Sequence, residues 1–114
     1  MTELSEVAIT LTKAQVRDVV RGASVAAGSH PLSALLELKD VVLPLLRDSE
    51  CSRSTLRGLL VLAAVPIDGS EREVTDIANH LGISASTTYR YLNTWVAVGL
   101  VDRDPRSRRY RRTR

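Results

Sequence analysis

The residues best equipped for chemistry lie in the last third of the chain, and the chemistry they suit is binding rather than bond-making. Ser84, Ser86 and Thr87 begin a run of short polar side chains that continues through Tyr89, Arg90, Asn93 and Thr94. Hydroxyls, an amide and one guanidinium at helical spacing give a slim face with donors for phosphates and base edges. Further on, Arg106, Arg108, Arg109 and Arg111 crowd together, with Arg112 beside them. Nothing near them could break a bond. Neither His30 nor His80 has a nucleophile or carboxylate partner at motif spacing, and no metal-ligand or phosphate-loop pattern occurs. The expectation is therefore no catalytic residue, no cofactor and no metal, with His80 an exposed helical residue.

Charge points the same way. Residues 1–89 carry eight basic and eleven acidic side chains, whereas residues 90–114 carry eight arginines and two aspartates. A basic end on an acidic chain makes a one-sided field that attracts a polyanion such as nucleic acid. With 44% hydrophobic and 25% charged residues the 114-residue chain has the balance of a folded protein, not of a disordered one. Its apolar content is Leu, Val and Ala with no Phe, which predicts an aliphatic, mainly helical core. The opening MTELSEVAIT lacks a basic n-region, the apolar run 59–67 is too short for a bilayer, and Cys51 stands alone. These features predict no secretory leader, no membrane partner and a cytoplasmic, nucleoid-associated location.

The elements that must position these residues can be read from periodicity. A β-compatible stretch, 7–11, is followed by a helix capped by Thr12 over 13–23, with Val16, Val19 and Val20 on one face. A loop with Gly22, Gly28, Ser29 and His30 leads to Pro31, which suits a first helical turn. A second helix is expected over 31–47, with a leucine- and valine-rich face wider than one small domain requires and a kink at Pro44. Ser52 or Ser54 should cap a third helix ending near Val65, with Leu56, Leu59, Leu60, Leu62 and Ala63 inside. Segment 1–50 thus reads as a helical extension and 51–114 as a separate domain.

Within 74–92 the pattern sharpens. Thr75 is expected to cap a short helix with Ile77, Ala78 and Leu81 inward, Ala78 being small where two helices cross. Gly82 supplies the sharp turn, Ile83 plugs the corner, and Ser84 caps a recognition helix over about 85–98. Its inner face is Thr88, Tyr91, Leu92 and Trp95. Gly99 closes it, and 100–103, a turn at 104–107 and 108–112 form a β-hairpin, the wing. The fold class is mainly α with a small β-hairpin: a winged helix-turn-helix over about 54–112, preceded by an N-terminal helical extension.

These residues resemble the helix-turn-helix DNA-binding domain of IclR-type bacterial transcriptional regulators, and more loosely MarR-type winged helices. The resemblance is carried by Thr75-Asp76-Ile77-Ala78, Leu81-Gly82-Ile83-Ser84, Ser86-Thr87, Tyr89-Arg90, Leu92, Gly99-Leu100-Val101 and Arg109-Tyr110, with 56–60 in the leading helix. It covers about half the chain. Two departures stand out: Thr88 replaces a larger aliphatic, and the sequence stops at Arg114 where the family continues into a ligand-binding domain. A small-molecule effector is therefore not indicated.

The resulting expectation is a transcriptional regulator that binds duplex DNA as a homodimer through its N-terminal helices. Thr75, Ser84, Ser86, Thr87, Tyr89, Arg90, Asn93 and Thr94 would serve the major groove, and Arg106, Arg108, Arg109 and Arg111 the backbone or minor groove. Two alternatives remain: an accessory factor of a mobile element, of excisionase or plasmid-maintenance type, and a winged helix used to bind protein. The last predicts a recognition face without basic groups.

Overall fold

The computed structural model describes residues 13–27, 31–42 and 51–113. The stretch 7–11, the Thr12 cap, the loop at 28–30 and residues 43–50, Pro44 among them, lie outside the described residues. By its internal contacts the chain divides into two compact units, 1–52 and 53–114. Among the described residues no helix is long and apolar enough to cross a membrane.

In the first unit, α1 (Lys13–Ala27) packs against α2 (Pro31–Glu37), which is followed at once by α3 (Lys39–Val42). Helix α1 extends four residues beyond the expected 23, since Ser24, Val25, Ala26 and Ala27 contain no breaker. The expected single helix from Pro31 is divided at Leu38, yet Leu38 N–H still donates to Ala34 O and Val42 N–H to Leu38 O. Ala34 and Val42 are buried, whereas Val19 is 40% and Val25 83% exposed. This unit leaves aliphatic surface uncovered.

The second unit is a three-helix core closed by a hairpin: α4 (Arg53–Ala64), α5 (Val74–Leu81), α6 (Ala85–Ala97), β1 (Val101–Arg103) and β2 (Tyr110–Arg112). Its mainly helical make-up with one antiparallel hairpin is that of a winged helix. On α4, burial of Gly58, Val61, Leu62 and then Val65 follows the i, i+3, i+4, i+7 rule, with Leu60 beside them. Leu59, expected inside, is 37% exposed, and Val61 takes its place. The stripe is rotated because α6 approaches at Gly58. A Cβ there would lie 3.2 Å from the Tyr91 ring and 3.4 Å from Trp95. Trp95 Nε1 completes the contact by donating to Gly58 O at 2.9 Å.

Between α5 and α6 the corner follows the sequence. Gly82 adopts φ +68°, and its N–H and that of Ile83 both donate to Ala78 O. Ile77, Ala78, Leu81 and Leu92 are buried together with Thr88. The hydroxyl of Thr88 is satisfied within its own helix, donating to Ser84 O at 2.9 Å, so a polar residue is accommodated where an aliphatic would otherwise sit. The N-terminus of α5 departs from expectation: its cap residue is Glu73, which makes no side-chain capping bond, and Thr75 lies in the first turn. Glu73 is free to act elsewhere.

The hairpin is shorter than expected and better braced. Its register pairs Val101 with Arg112, Asp102 with Arg111 and Arg103 with Tyr110, so the return strand begins at Tyr110 and not at Arg108. A one-residue third strand supports it, Arg72 exchanging both backbone hydrogen bonds with Tyr110 at 2.9 and 2.8 Å. Tyr110 and Val101, each 1% exposed, pin the hairpin to the core.

Candidate nucleic-acid interface

Helix α6 owes its start to one side chain. Ser84 holds an extended backbone, and its Oγ accepts the Thr87 N–H at 3.1 Å while donating its own proton to Thr87 Oγ1 at 2.8 Å. Thr87 is thereby half-buried and turned back on its own cap. Thr94 donates its hydroxyl to Arg90 O at 3.1 Å. Ser86, Arg90 and Asn93 are exposed at four- and three-residue spacing, on the side away from buried Thr88 and Leu92. Of the expected reading face, Arg90 and Asn93 project without a side-chain bond among the described residues, Ser86 Oγ lies 3.3 Å from Ser84 Oγ, Thr87 Oγ1 accepts from Ser84, and Thr94 spends its hydroxyl proton inside the helix. Tyr91 and Trp95 belong to the packing against α4, the Tyr91 hydroxyl lying 2.8 Å from Ser54 Oγ. Of the two residues expected as caps, Ser52 directly precedes the helix, and Ser54 is a helical residue that braces α6.

The wing divides its arginines between two tasks. The Arg112 Nε donates to Leu62 O at 2.8 Å, and partial burial pulls its guanidinium below the ordinary arginine value. It ties β2 to α4. Arg109 pairs with Glu73 at 3.3 Å, bridging the wing to the start of α5. Arg106 and Arg108 are exposed on the loop, and Arg111 is exposed on β2. Arg111 lines a concavity of about 390 Å³ with Ile67 and Leu100. It does not join the residues nearest α6.

Loop geometry comes from Asp104. One of its carboxylate oxygens accepts the Arg106 and Ser107 N–H groups at 2.8 and 3.0 Å, and its carbonyl accepts Arg108 N–H at 2.8 Å. Those bonds, from Ser107 and then Arg106, hold its carboxyl below the usual carboxylate range. The same loop carries Arg108 in the left-handed region, φ +61°.

Sequence reasoning passed over Arg103. Its guanidinium lies 5.6 Å from the ring centroids of both Tyr89 and Tyr110, joining β1 to α6 and β2. Its residue type and the two nearby tyrosines were visible, but cross-strand register was needed to bring them together. Thr75 and Tyr89 share a cleft of about 270 Å³ with Arg103, Arg108 and Tyr110. The structure therefore gathers Thr75, Tyr89 and Arg108 at one place, Ser86, Arg90 and Asn93 along α6, and Arg106 at the loop. Among the described residues no cluster of His, Cys, Asp or Glu could hold a metal ion.

Residues 54–105 match the model of a protein family described as the IclR helix-turn-helix domain. No curated protein and no solved structure matches the chain.

Proposed function

Because residues 54–105 carry an IclR-type helix-turn-helix, a DNA-binding domain of transcription regulators, we propose that this protein is a sequence-specific regulator that binds duplex DNA as a homodimer. The observation that carries the proposal is the exposed polar side of α6, Ser86, Arg90 and Asn93, beside a wing loop with exposed arginines at 106 and 108, while Arg111 is exposed on β2. Helix α6 would enter a major groove, with Arg90 and Asn93 reaching base edges and Ser86 a phosphate. The free wing arginines would add sequence-independent affinity along the backbone or in the adjoining minor groove. Such a protein would work in the cytoplasm, at the nucleoid.

Dimerisation is the second part of the proposal. Val19 and Val25 of the first unit present aliphatic surface to solvent, which a second copy would cover. A two-fold dimer would set two α6 helices on half-sites about 34 Å apart, one turn of DNA.

The test is binding to a random-sequence duplex and to a duplex selected from a random library, across a salt series. Arg90→Ala should lose affinity mainly on the selected duplex. A variant lacking Arg106 and Arg108 should weaken on both duplexes alike, with a shallower salt dependence. Absence of binding to any duplex at low salt would overturn the reading in favour of a protein-binding winged helix.

A further inference from the structure

The seam between α6 and the wing has a composition of its own. A concavity of about 490 Å³ is lined by Tyr89, Arg103, Pro105 and Arg108 alone. The adjoining cleft repeats Tyr89, Arg103 and Arg108, and its one acid, Glu73, is already paired with Arg109. The seam therefore offers two cations with no unpaired carboxylate lining it.

Arg103 is held there in an unusual way. Two tyrosine rings, one from the recognition helix and one from β2, each lie 5.6 Å from its guanidinium carbon. Ring faces attract a guanidinium without consuming its N–H groups. Arg109 and Arg112 instead donate to Glu73 and to Leu62 O. Among the described residues Arg103 makes no ion pair or side-chain hydrogen bond, so its planar fork is oriented while its donors remain available. Such an arginine loses little freedom when it binds an oxyanion in bidentate fashion. Arg108 is brought to the same seam by a left-handed backbone, a costly conformation for a side-chain-bearing residue, which Asp104 maintains through its bond to Arg108 N–H.

The place of the seam decides what it holds. With α6 in a major groove and the wing at the neighbouring minor groove, the strand separating the two grooves passes over the surface between α6 and the wing. We infer that this seam seats one DNA backbone phosphate in each half-site, with Arg103 as its fixed anchor and Arg108 as the second cation. The inference rests on the DNA-binding reading above. Arg103 thus sets the position of α6 in its groove, and the loop arginine Arg106 adds only diffuse attraction.

The test uses the full chain, a duplex selected by the wild type, a random duplex, and selected duplexes carrying one neutral methylphosphonate at each backbone position in turn. Arg103→Gln should weaken binding to both duplexes about tenfold and lower the salt slope by about one unit. Arg106→Gln should cost about twofold to threefold. For the wild type, one methylphosphonate position per half-site should cost about tenfold, and the same position should cost Arg103→Gln nothing further. Thermal unfolding of each variant separates lost affinity from lost fold. Should Arg103→Gln fail to fold, Arg108→Gln, altered in an exposed loop, should blunt the penalty at that same methylphosphonate position. An Arg103→Gln loss no larger than that of Arg106→Gln, or an undiminished methylphosphonate penalty, overturns the phosphate seat and leaves the DNA-binding reading intact. A wild type that binds no duplex removes the reading itself.

Discussion

Helix α6 and the wing reach rigidity by opposite routes. Helix α6 is fixed by what it buries: Thr88 and Leu92 are inaccessible to solvent, and Trp95 bonds to α4 across Gly58. Its outer side is left with little structural duty. The wing has strands of three residues each and cannot bury enough to stand alone. It is held by side-chain ties, Arg112 to Leu62 O, Arg109 to Glu73 and Asp104 across its loop, and by the backbone pair between Tyr110 and Arg72. In the helix, the packed face and the proposed reading face are different ones. In the wing they share one residue type, and a count of arginines overstates the charge available to a ligand.

This contrast predicts a graded set of mutational effects. Leu92→Ala should cost the most, about 3 kcal/mol in denaturant unfolding, because the site is wholly enclosed and cannot collapse freely. Its affinity for DNA should fall only in proportion to the unfolded fraction. Arg112→Met should lower stability by about 1.5 kcal/mol, since the Leu62 carbonyl loses a charged donor. The salt slope of DNA binding should be unchanged in that variant. Its neighbour gives the mirror result: Arg111→Gln should move stability by less than about 0.5 kcal/mol while reducing the slope. If both substitutions acted on stability alone, or both on the slope alone, the division of labour within the wing would be wrong. Ser84→Ala should cost about 1 kcal/mol and loosen the first turn of α6, visible as faster amide exchange at Thr87.

What could be read in advance follows from the same contrast. The helix-turn-helix was legible because its determinants are local: the apolar stripe of Ile77, Ala78 and Leu81, the positive φ at Gly82 and the cap at Ser84 are set by neighbours within four residues. The failures are non-local. Leu59 and Val61 exchanged roles because Gly58 admits the rings of Tyr91 and Trp95, more than thirty positions away. Thr75 has the residue type of a cap, whereas Glu73 occupies that position and reaches across to Arg109 instead. Arg103 escaped notice because its two aromatic partners are distant in sequence and meet it only through the helix–wing packing and the strand register.

A further substitution tests Tyr110, the residue that joins the wing to the core. Tyr110 is 1% exposed, and its hydroxyl is buried without a hydrogen-bond partner among the described residues. Its ring anchors the hairpin and faces Arg103; the oxygen contributes nothing that offsets its loss of water. Tyr110→Phe should therefore be neutral, or stabilising by up to about 1 kcal/mol at neutral pH. Burial raises the phenol of Tyr110 above its ordinary value of 10.0, an effect that nearby Arg103 only partly opposes. Below pH of about 10 the phenol is protonated in both folded and unfolded chains, and nothing is lost. Above it the unfolded chain releases this proton while the folded chain retains it, so stability declines as pH rises towards the folded value. Tyr110→Phe removes that decline. Melting temperatures of the two proteins, followed from neutral to alkaline pH, should start nearly equal and then separate, with the wild type falling faster. Parallel curves would show that the hydroxyl finds water or a partner on the wing's inner side, and that the hairpin is less tightly sealed than the recognition helix it flanks.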